Sequence, residues 1–364
     1  MTLRSQTRTI KVGRVAVGGG APVSVQSMAN ADPHDAAALL RQIESCAALG
    51  CDIMRLTVPD MEAARTLAEV KRRSPLPLVA DIHFDYRCAL AAVEAGADAL
   101  RLNPGNIGGR DRVQAVARAA KKAGLPIRIG VNLGSLERDL EEKLAGGGRS
   151  PERKAEVLCE SAMRHLALLE AEGFTDVAIS AKASDVQSTI AAYRLLAERT
   201  DCPLHVGVTE AGTLLPGTVR SAVALGVLLG EGVGDTIRVS LTDTPEREVK
   251  VGLEILRALG LKSPGPAVTS CPTCGRTKTG VVRIAAAVEE ALEKIWLAGG
   301  CSSAKFPRVA VMGCAVNGPG EAKGADIALC GGNGDFILYV GGRFAARVAE
   351  ENAVEEVIRH VVHP

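Results

Sequence analysis

The chain has 364 residues with 47% hydrophobic content, enough to bury one large core and a second, small one. Its net charge of +1 and its 2% aromatic content argue against a basic nucleic-acid surface and against a base-stacking platform. No signal segment opens the chain, and no apolar run reaches the roughly 18 residues of a membrane helix, so we expect a cytoplasmic protein with a small-molecule partner.

The ten cysteines predict thiols rather than disulfides, because the cytoplasm keeps thiols reduced. Half of them stand in apolar helical or strand-edge surroundings and are interpreted as small core residues. These are Cys46, Cys51, Cys88, Cys159 and Cys202.

A short alternating segment comes first along the chain. Residues 9–17 alternate apolar and polar side chains, which predicts a two-stranded hairpin. The three glycines at 18–20 fit a hairpin turn better than a phosphate-binding loop, so we place no site there.

The rest of the first 260 residues repeats one unit eight times, a short β-branched run followed by a helix of alanine, leucine and charged residues. The runs are continuous rather than alternating, as buried parallel strands are. The predicted strands are 23–28, 52–57, 77–82, 98–103, 126–132, 176–181, 203–208 and 235–239. The predicted helices are 35–48, 60–73, 86–95, 109–123, 151–172, 185–200, 215–230 and 246–259. Eight such units predict a closed (β/α)8 TIM-type barrel over residues 1–262, with the hairpin as a plug across its bottom.

Polar side chains follow the strands where a barrel of this kind carries its chemistry. In chain order they are Gln26 with Asn30, Arg55, Asp81 with His83, Arg101 with Asn103, Arg128 with Asn132, Lys182, Thr209 with Glu210, and Arg238 with Ser240. Five strands deliver a cation, and gathering five cations is costly unless an anion sits among them. Arginine forks suit phosphate oxygens, so a diphosphate is expected. The alternative is a structural network in which some cations pair with Asp81, Glu210 or Asp235.

A Pro-rich linker at 262–266 leads into a different pattern. We predict a helix over 281–296, strands over 308–312, 326–330 and 336–340, and a last helix over 346–362. Residues 263–364 therefore form a small α+β domain, whose sheet would be helped by a bound metal centre.

Three cysteines and a glutamate in this domain stand among glycines and prolines. Cys271 and Cys274 form a CxxC pair, and Cys314 and Glu321 lie in one later loop. A CxxC pair alone fits zinc, a redox thiol pair or an iron-sulfur centre. Zinc is disfavoured because no second close pair follows, and a thioredoxin-like site is disfavoured because the pair follows a linker. Cys301 is the one rival ligand.

Together these segments resemble the 4-hydroxy-3-methylbut-2-enyl diphosphate synthase family, iron-sulfur enzymes of the non-mevalonate isoprenoid pathway, in their two-domain bacterial form. The resemblance covers nearly the whole chain. It rests on residues 21–28, 128–136, 182–185, 208–212 and 234–240, and on the CPTC and NGPGE stretches.

The resemblance implies a [4Fe-4S] cluster held by Cys271, Cys274, Cys314 and Glu321, where the carboxylate is the more easily displaced ligand. The implied substrate is 2-C-methyl-D-erythritol 2,4-cyclodiphosphate. It is opened, loses water and takes up two electrons from reduced flavodoxin or ferredoxin. The family also implies a homodimer in which the cluster domain of one subunit covers the barrel mouth of the other.

The family's diphosphate clamp falls on Arg55, Arg101, Arg128, Asn132, Lys182 and Ser240. Glu210 is the expected proton donor to the leaving hydroxyl, and Glu321 joins it as a catalytic residue. The roles of Asp81 and His83 stay open, since His83 could contact substrate or anchor its loop. Two other classes remain, a phosphate-binding barrel enzyme with a structural zinc and a non-catalytic iron-sulfur carrier.

Overall fold

The computed structural model of the protein describes residues 1–146, 148, 150–262, 265–298, 306–314 and 318–362, with positions 319, 321 and 322 described by backbone alone. The chain divides into two compact units, Met1–Lys262 and Ser263–Pro364. In the described part of the chain, no helix is both long and apolar enough to cross a membrane.

Eight parallel strands form the barrel of the first unit. They are β3 (Ser24–Met28), β4 (Ile53–Thr57), β5 (Leu78–Asp81), β6 (Ala99–Leu102), β7 (Ile127–Asn132), β8 (Val177–Lys182), β9 (His205–Val206) and β10 (Thr236–Ile237). Their order in the sheet is β8-β7-β6-β5-β4-β3-β10-β9, and a parallel bridge between Ile179 and Leu204 joins the two ends. The predicted (β/α)8 barrel is confirmed.

Helices follow the strands around the barrel. They are α1 (Ala36–Leu49), α2 (Met61–Arg73), α3 (Tyr86–Glu94), α4 (Arg110–Ala123), α5 (Arg138–Gly146), α6 (Pro151–Glu170), α7 (Val186–Arg199), α8 (Leu214–Gly230) and α9 (Pro245–Ala258). Four of them begin at an aspartate whose carboxylate accepts backbone N–H groups of the first turn, which defines the helix start. These caps are Asp35, Asp60, Asp85 and Asp185. The sequence patterns did not predict α5. The five cysteines interpreted as core residues are all buried.

A hairpin closes the barrel bottom. Strands β1 (Ile10–Val12) and β2 (Val15–Val17) pair antiparallel. Their buried side chains pack against barrel residues close to the amino ends of their strands, namely Ile53, Val79, Ala99 and Ala178. The plug is confirmed, but its turn is formed by Gly13 and Arg14, because Val12 pairs with Val15. The glycines at 18–20 follow the second strand and were wrongly interpreted as the turn.

The second unit packs helices against a five-stranded mixed sheet. Its elements are β11 (Val268–Ser270), α10 (Val281–Leu297), β12 (Val309–Met312), α11 (Gly318–Glu321), β13 (Ile327–Gly331), β14 (Asp335–Val340), β15 (Arg343–Ala349) and α12 (Ala353–Val362). Strands β11, β12 and β13 are parallel, and β13, β14 and β15 are antiparallel. Buried apolar side chains of α10, α12 and the sheet share one core.

The predicted helix over 346–362 is wrong in its first part, because residues 346–349 belong to β15. Gly341 and Gly342 both have positive φ, 56° and 74°, and Val340 pairs with Arg343. Two such glycines form the two-residue turn that favours a hairpin, so the chain returns as a strand before the helix begins.

Asp235, just before β10, ties the N-terminal segment to the barrel bottom. Its carboxylate accepts the Thr7 hydroxyl at 2.9 Å and the Leu204 backbone N–H at 2.8 Å. Burial outweighs these hydrogen bonds and raises the pKa of Asp235 to about 6. The alternative that Asp235 pairs with the mouth cations is wrong, since it lies at the opposite end of its strand.

We predict that Asp235→Asn stabilises the protein at pH 8. A carboxyl whose pKa is higher folded than unfolded loses its stabilising contribution as pH rises from about 4 to about 6. Asparagine can accept from Leu204 and donate to the Thr7 oxygen without this cost. The expected gain in the free energy of unfolding is about 2 to 3 kcal/mol at pH 8.

Urea unfolding at pH 4.5 and pH 8 measures this effect. Asp201→Asn is the matched control, because Asp201 also ties down the N-terminal segment, through Arg8, but is half exposed. The free energy of unfolding of Asp201→Asn should fall by up to about 1 kcal/mol. An Asp235→Asn protein no more stable than wild type at pH 8 would contradict the prediction.

Candidate active site at the barrel mouth

A cavity of about 570 Å³ opens at the carboxyl ends of the barrel strands. Three of the six residues predicted to clamp a diphosphate line it, Arg55, Arg101 and Asn132. The other lining residues are Met28, Asp81, Ile82, His83, Phe84, Asn103, Asn106, Gly134, Ser135 and Leu136. The wall is therefore built from the ends of β3 to β7 and the loops that follow β5, β6 and β7.

Asp81 is the counter-ion at the centre of this wall. Its carboxylate is 1% exposed and lies 3.1 Å from Arg101 Nη1, 3.8 Å from Arg55 Nε and 3.9 Å from His83 Nε2. Burial acts to raise the pKa of Asp81, but the charges of Arg55 and Arg101 outweigh it and hold that pKa below its usual value. Asp81 is thus ionised and orients two cations toward the cavity.

Arg128 and Lys182 are the basic residues whose charged forms the site destabilises. Burial, and then the charges of neighbouring arginines, lower the pKa of each well below its usual value. Arg128 donates Nη1 to Gln26 Oε1 at 2.5 Å, while its Nε and Nη2 have no hydrogen-bond partner among the residues described. A buried guanidinium with unused donors and repelling neighbours is a strong attractor for an anion.

Arg238 is held by Glu248, a residue that the sequence patterns did not single out. Glu248 lies on α9, is 4% exposed, and contacts Arg238 Nη2 at 3.0 Å and Arg238 Nε at 3.3 Å. It also accepts the Ser27 hydroxyl at 2.8 Å and the Leu241 backbone N–H at 3.0 Å. The sequence feature that could have identified Glu248 was a carboxylate on the buried face of an amphipathic helix, next to Val249.

The remaining predicted residues stand at neighbouring strand ends. Ser240 is partly exposed after β10. Glu210 is exposed on the loop after β9 with a positive φ of 51°, and the ion pairs of the described residues do not include it. The pairing alternative is therefore right for Asp81 only, and Glu248 takes the role expected of Glu210 or Asp235.

His205 was also missed. It lies on β9, is fully buried, and neither ring nitrogen has a hydrogen-bond partner within the described residues. Burial and the charges of Arg128 and Lys182 lower its pKa well below the usual value, so the ring is neutral. A lone histidine in an apolar strand is usually a core residue, so the sequence pattern did not single it out.

In the second unit, strand register brings two of the predicted cluster ligands together. Strands β11 and β12 are parallel with Ser270 opposite Val311, so Cys271 and Gly313 leave adjacent strand ends. The Gly313 backbone N–H donates to Cys271 Sγ at 3.2 Å. A β-carbon at Gly313 would lie 3.0 Å from that sulfur, so only glycine allows this close approach.

The CxxC turn continues from Cys271. Thr273 has a positive φ of 65°, and the Cys274 backbone N–H donates to Thr277 Oγ1 at 3.1 Å. Cys274 is exposed and Cys314, which follows Gly313, is partly exposed. Glu321 ends α11, but its side chain and the rival Cys301 lie outside what the structure describes. In the described part, no three metal-ligating side chains are grouped closely enough to hold a metal ion.

This donor set suits an iron-sulfur centre. The Gly313 N–H donates to the Cys271 sulfur, and such donors stabilise the charge on cluster-bound sulfur.

Comparisons with known proteins agree along both units. The family described as GcpE TIM-barrel domain matches residues 7–253, and GcpE protein C-terminal domain matches residues 267–363. A relative from Ruminiclostridium cellulolyticum is 52% identical over 358 residues, covering 98% of each chain. Another from Geobacter sulfurreducens is 51% identical over 359 residues, covering 99% of this chain and 98% of the relative. Both are named 4-hydroxy-3-methylbut-2-en-1-yl diphosphate synthase (flavodoxin).

A solved structure, the truncated form of 3-deoxy-D-arabino-heptulosonate 7-phosphate synthase from Thermotoga maritima, matches with a TM-score of 0.50. The match covers 71% of this chain and 95% of that one at 13% identity. At this identity it supports the barrel fold alone.

We predict that an anion binding at the mouth draws a proton onto Lys182. Burial and the neighbouring arginines lower the pKa of Lys182, and a bound anion raises that pKa again because it favours the charged amine. Calorimetric titration with inorganic pyrophosphate, in buffers of different ionisation enthalpy, should therefore report proton uptake at pH 8. Lys182→Gln should abolish that uptake and weaken binding about tenfold or more.

Lys122→Gln, at an exposed position on α4, is the control and should behave as wild type. The anion's own protonation is common to all three proteins and cancels in the comparison. Equal proton uptake by wild type and Lys182→Gln would show that Lys182 does not titrate on binding.

Proposed function

This chain is an enzyme of the GcpE family, the 4-hydroxy-3-methylbut-2-enyl diphosphate synthases, and we propose that its two units divide the work. The barrel clamps the diphosphate of the substrate, and the second unit carries the electron-transferring centre. The observation that carries the proposal is the charge imbalance inside the barrel. Among the described residues, two buried carboxylates, those of Asp81 and Glu248, face five basic side chains. These are Arg55, Arg101, Arg128, Lys182 and Arg238, of which Arg128 also lines the space beneath the N-terminal hairpin.

The proposed substrate is 2-C-methyl-D-erythritol 2,4-cyclodiphosphate. Arg55, Arg101, Arg128, Asn132, Lys182 and Ser240 would form the clamp. Two electrons and one proton convert the cyclic dianion into an open diphosphate trianion and one water. The diphosphate therefore gains negative charge as the ring opens, and preorganised cations bind the developing charge more tightly than the starting one.

Glu210 is the proposed proton donor. The hydroxyl that leaves as water needs a proton at its oxygen, and a carboxylic acid can supply it. Glu210 is suited to this by position, because it follows β9 at the carboxyl end of the barrel and its carboxylate is not held in a described ion pair. Asp81, by contrast, is fixed as a counter-ion of Arg55 and Arg101.

The second unit would hold a [4Fe-4S] cluster through Cys271, Cys274, Cys314 and Glu321. When bound, such a cluster supplies electrons one at a time and can open one coordination site where a carboxylate is the weakest ligand. The Gly313 N–H that donates to Cys271 Sγ is a backbone donor of the kind that hydrogen-bonds cluster-bound sulfur.

The remaining parts of the proposal concern partners. The relatives are named for flavodoxin, and we propose reduced flavodoxin or ferredoxin as the electron donor. A homodimer, in which each barrel mouth receives the cluster domain of the other subunit, is proposed from the family resemblance. A cytoplasmic location fits the reduced cysteines of the barrel core.

The first test is the iron and acid-labile sulfide content of protein purified without air. We expect four of each per chain in wild type and a loss of both in Cys271→Ser. Cys330→Ala is the control, because Cys330 is buried in β13 of the same unit and is not a proposed ligand. Zinc without sulfide in the wild type would end the reductase proposal while leaving the anion site intact.

The second test concerns Glu210→Gln. With a dithionite-reduced mediator and the cyclic diphosphate, kcat should fall about 10² to 10⁴-fold while KM stays near the wild-type value, because the acid acts in the transition state. Iron and sulfide contents should be unchanged. Glu231→Gln, a surface carboxylate paired with Arg194, is the control. A wild-type kcat in Glu210→Gln would assign proton transfer to another group.

A further inference from the structure

A buried histidine stands behind one wall of the active-site cavity. His165 lies on α6 and is 2% exposed, where it interrupts an otherwise apolar stripe that includes Leu158, Ala162 and Leu169. It lies between two loops, here called the β6 loop (103–109) and the β7 loop (133–137). Both loops line the cavity, the first through Asn103 and Asn106 and the second through Gly134, Ser135 and Leu136.

The two nitrogens of the His165 ring face different loops. Nδ1 accepts the Gly105 backbone N–H at 3.1 Å, and Nε2 lies 3.6 Å from Glu137 Oε1. The other Glu137 oxygen accepts the Ser161 hydroxyl at 2.7 Å. An acceptor at Nδ1 requires the proton on Nε2. Nε2 is buried and has no hydrogen-bond partner among the described residues, and the Glu137 carboxylate faces it from just beyond hydrogen-bond distance.

The contact with the β6 loop is steric as well as polar. A β-carbon at Gly105 would lie 2.6 Å from His165 Cε1, so the loop backbone rests directly on the ring. The same two loops approach each other at the cavity, where Asn103 Nδ2 lies 3.5 Å from Ser135 Oγ and Asn103 Oδ1 accepts the Gly130 N–H at 3.0 Å. The loops are thus linked in front by Asn103 and behind by His165.

We propose that His165 is a positioning residue that fixes the spacing between the β6 and β7 loops, and with it the placement of Asn103 and Asn132 for the anionic substrate. A leucine would fill the same space at lower desolvation cost, so a histidine that accepts the Gly105 N–H and turns its other nitrogen to the Glu137 carboxylate points to a polar link. The inference rests on the proposed function only for the purpose of this spacing, which is to place residues that bind the substrate.

Two substitutions separate the two contacts. In His165→Gln the amide nitrogen takes the place of Nε2, so the donor to Glu137 is kept and the acceptor for Gly105 is lost. In His165→Asn the side-chain oxygen takes the place of Nδ1, so the acceptor is kept and Glu137 is out of reach. Cys159→Ala, also fully buried on α6, is the control for a simple loss of core packing.

Hydrogen exchange of the full-length protein, purified without air, reads out each loop. We expect faster exchange in the β6 loop of His165→Gln and in the β7 loop of His165→Asn, and in neither loop of Cys159→Ala. In turnover, each His165 variant should raise KM about threefold to tenfold, the worth of one hydrogen bond, with kcat within about twofold. Glu137→Ala, at a partly exposed position, tests the β7 contact if the His165 variants are insoluble.

Failure of this inference is distinguishable from failure of the proposed function. If wild type does not convert the cyclic diphosphate, inorganic pyrophosphate is used as the ligand instead. Bound pyrophosphate should slow hydrogen exchange in the β6 and β7 loops of wild type more than in those of the His165 variants. Loop exchange and anion affinity that match Cys159→Ala would make His165 an ordinary core residue, whatever the substrate.

Discussion

The barrel depends on one electrostatic constraint, the presence of more positive than negative charge among its described buried side chains. Burial weakens the hydration of each cation, and mutual repulsion then lowers the pKa of Arg128 and Lys182 well below the usual values. Asp81 and Glu248 compensate part of the charge and fix the directions of three arginines. The positive charge that these carboxylates leave uncompensated attracts a diphosphate.

The second unit solves a different problem, how to bring distant cysteines close together. Parallel pairing of β11 with β12 does this with few residues, because chain ends that leave adjacent strands in the same direction are neighbours. The glycine that precedes Cys314 then lets its backbone contact the sulfur of Cys271. The sheet thus places the Cys271 sulfur beside the residue that precedes Cys314.

The sequence predicted the eight barrel strands and their helices to within a few residues, because buried parallel strands are continuous apolar runs and the helices carry clear caps. It failed where local pattern does not decide. The short exposed strand β11 resembles a loop, the helix α5 ends in a glycine-rich stretch, and β15 was merged with α12 despite the Gly-Gly turn before it. Cations at strand ends were visible, whereas their partner Glu248 sits on a helix and meets Arg238 only in three dimensions. His165 and His205 were missed for the same reason.

The hydrogen bond between Thr7 and Asp235 joins residues 228 positions apart, the first segment of the barrel unit to its last strand. Contacts between residues so far apart in sequence form slowly, because the entropy cost of closing the loop comes before the contact can stabilise it. During synthesis, Thr7 leaves the ribosome long before Asp235 exists. The apolar face of the hairpin, with Ile10, Val12 and Val17, packs on residues of β4, β5, β6 and β8, which emerge earlier. For this chain, the hairpin can therefore dock before the last strand emerges, and the tie between Thr7 and Asp235 completes the barrel floor late in translation.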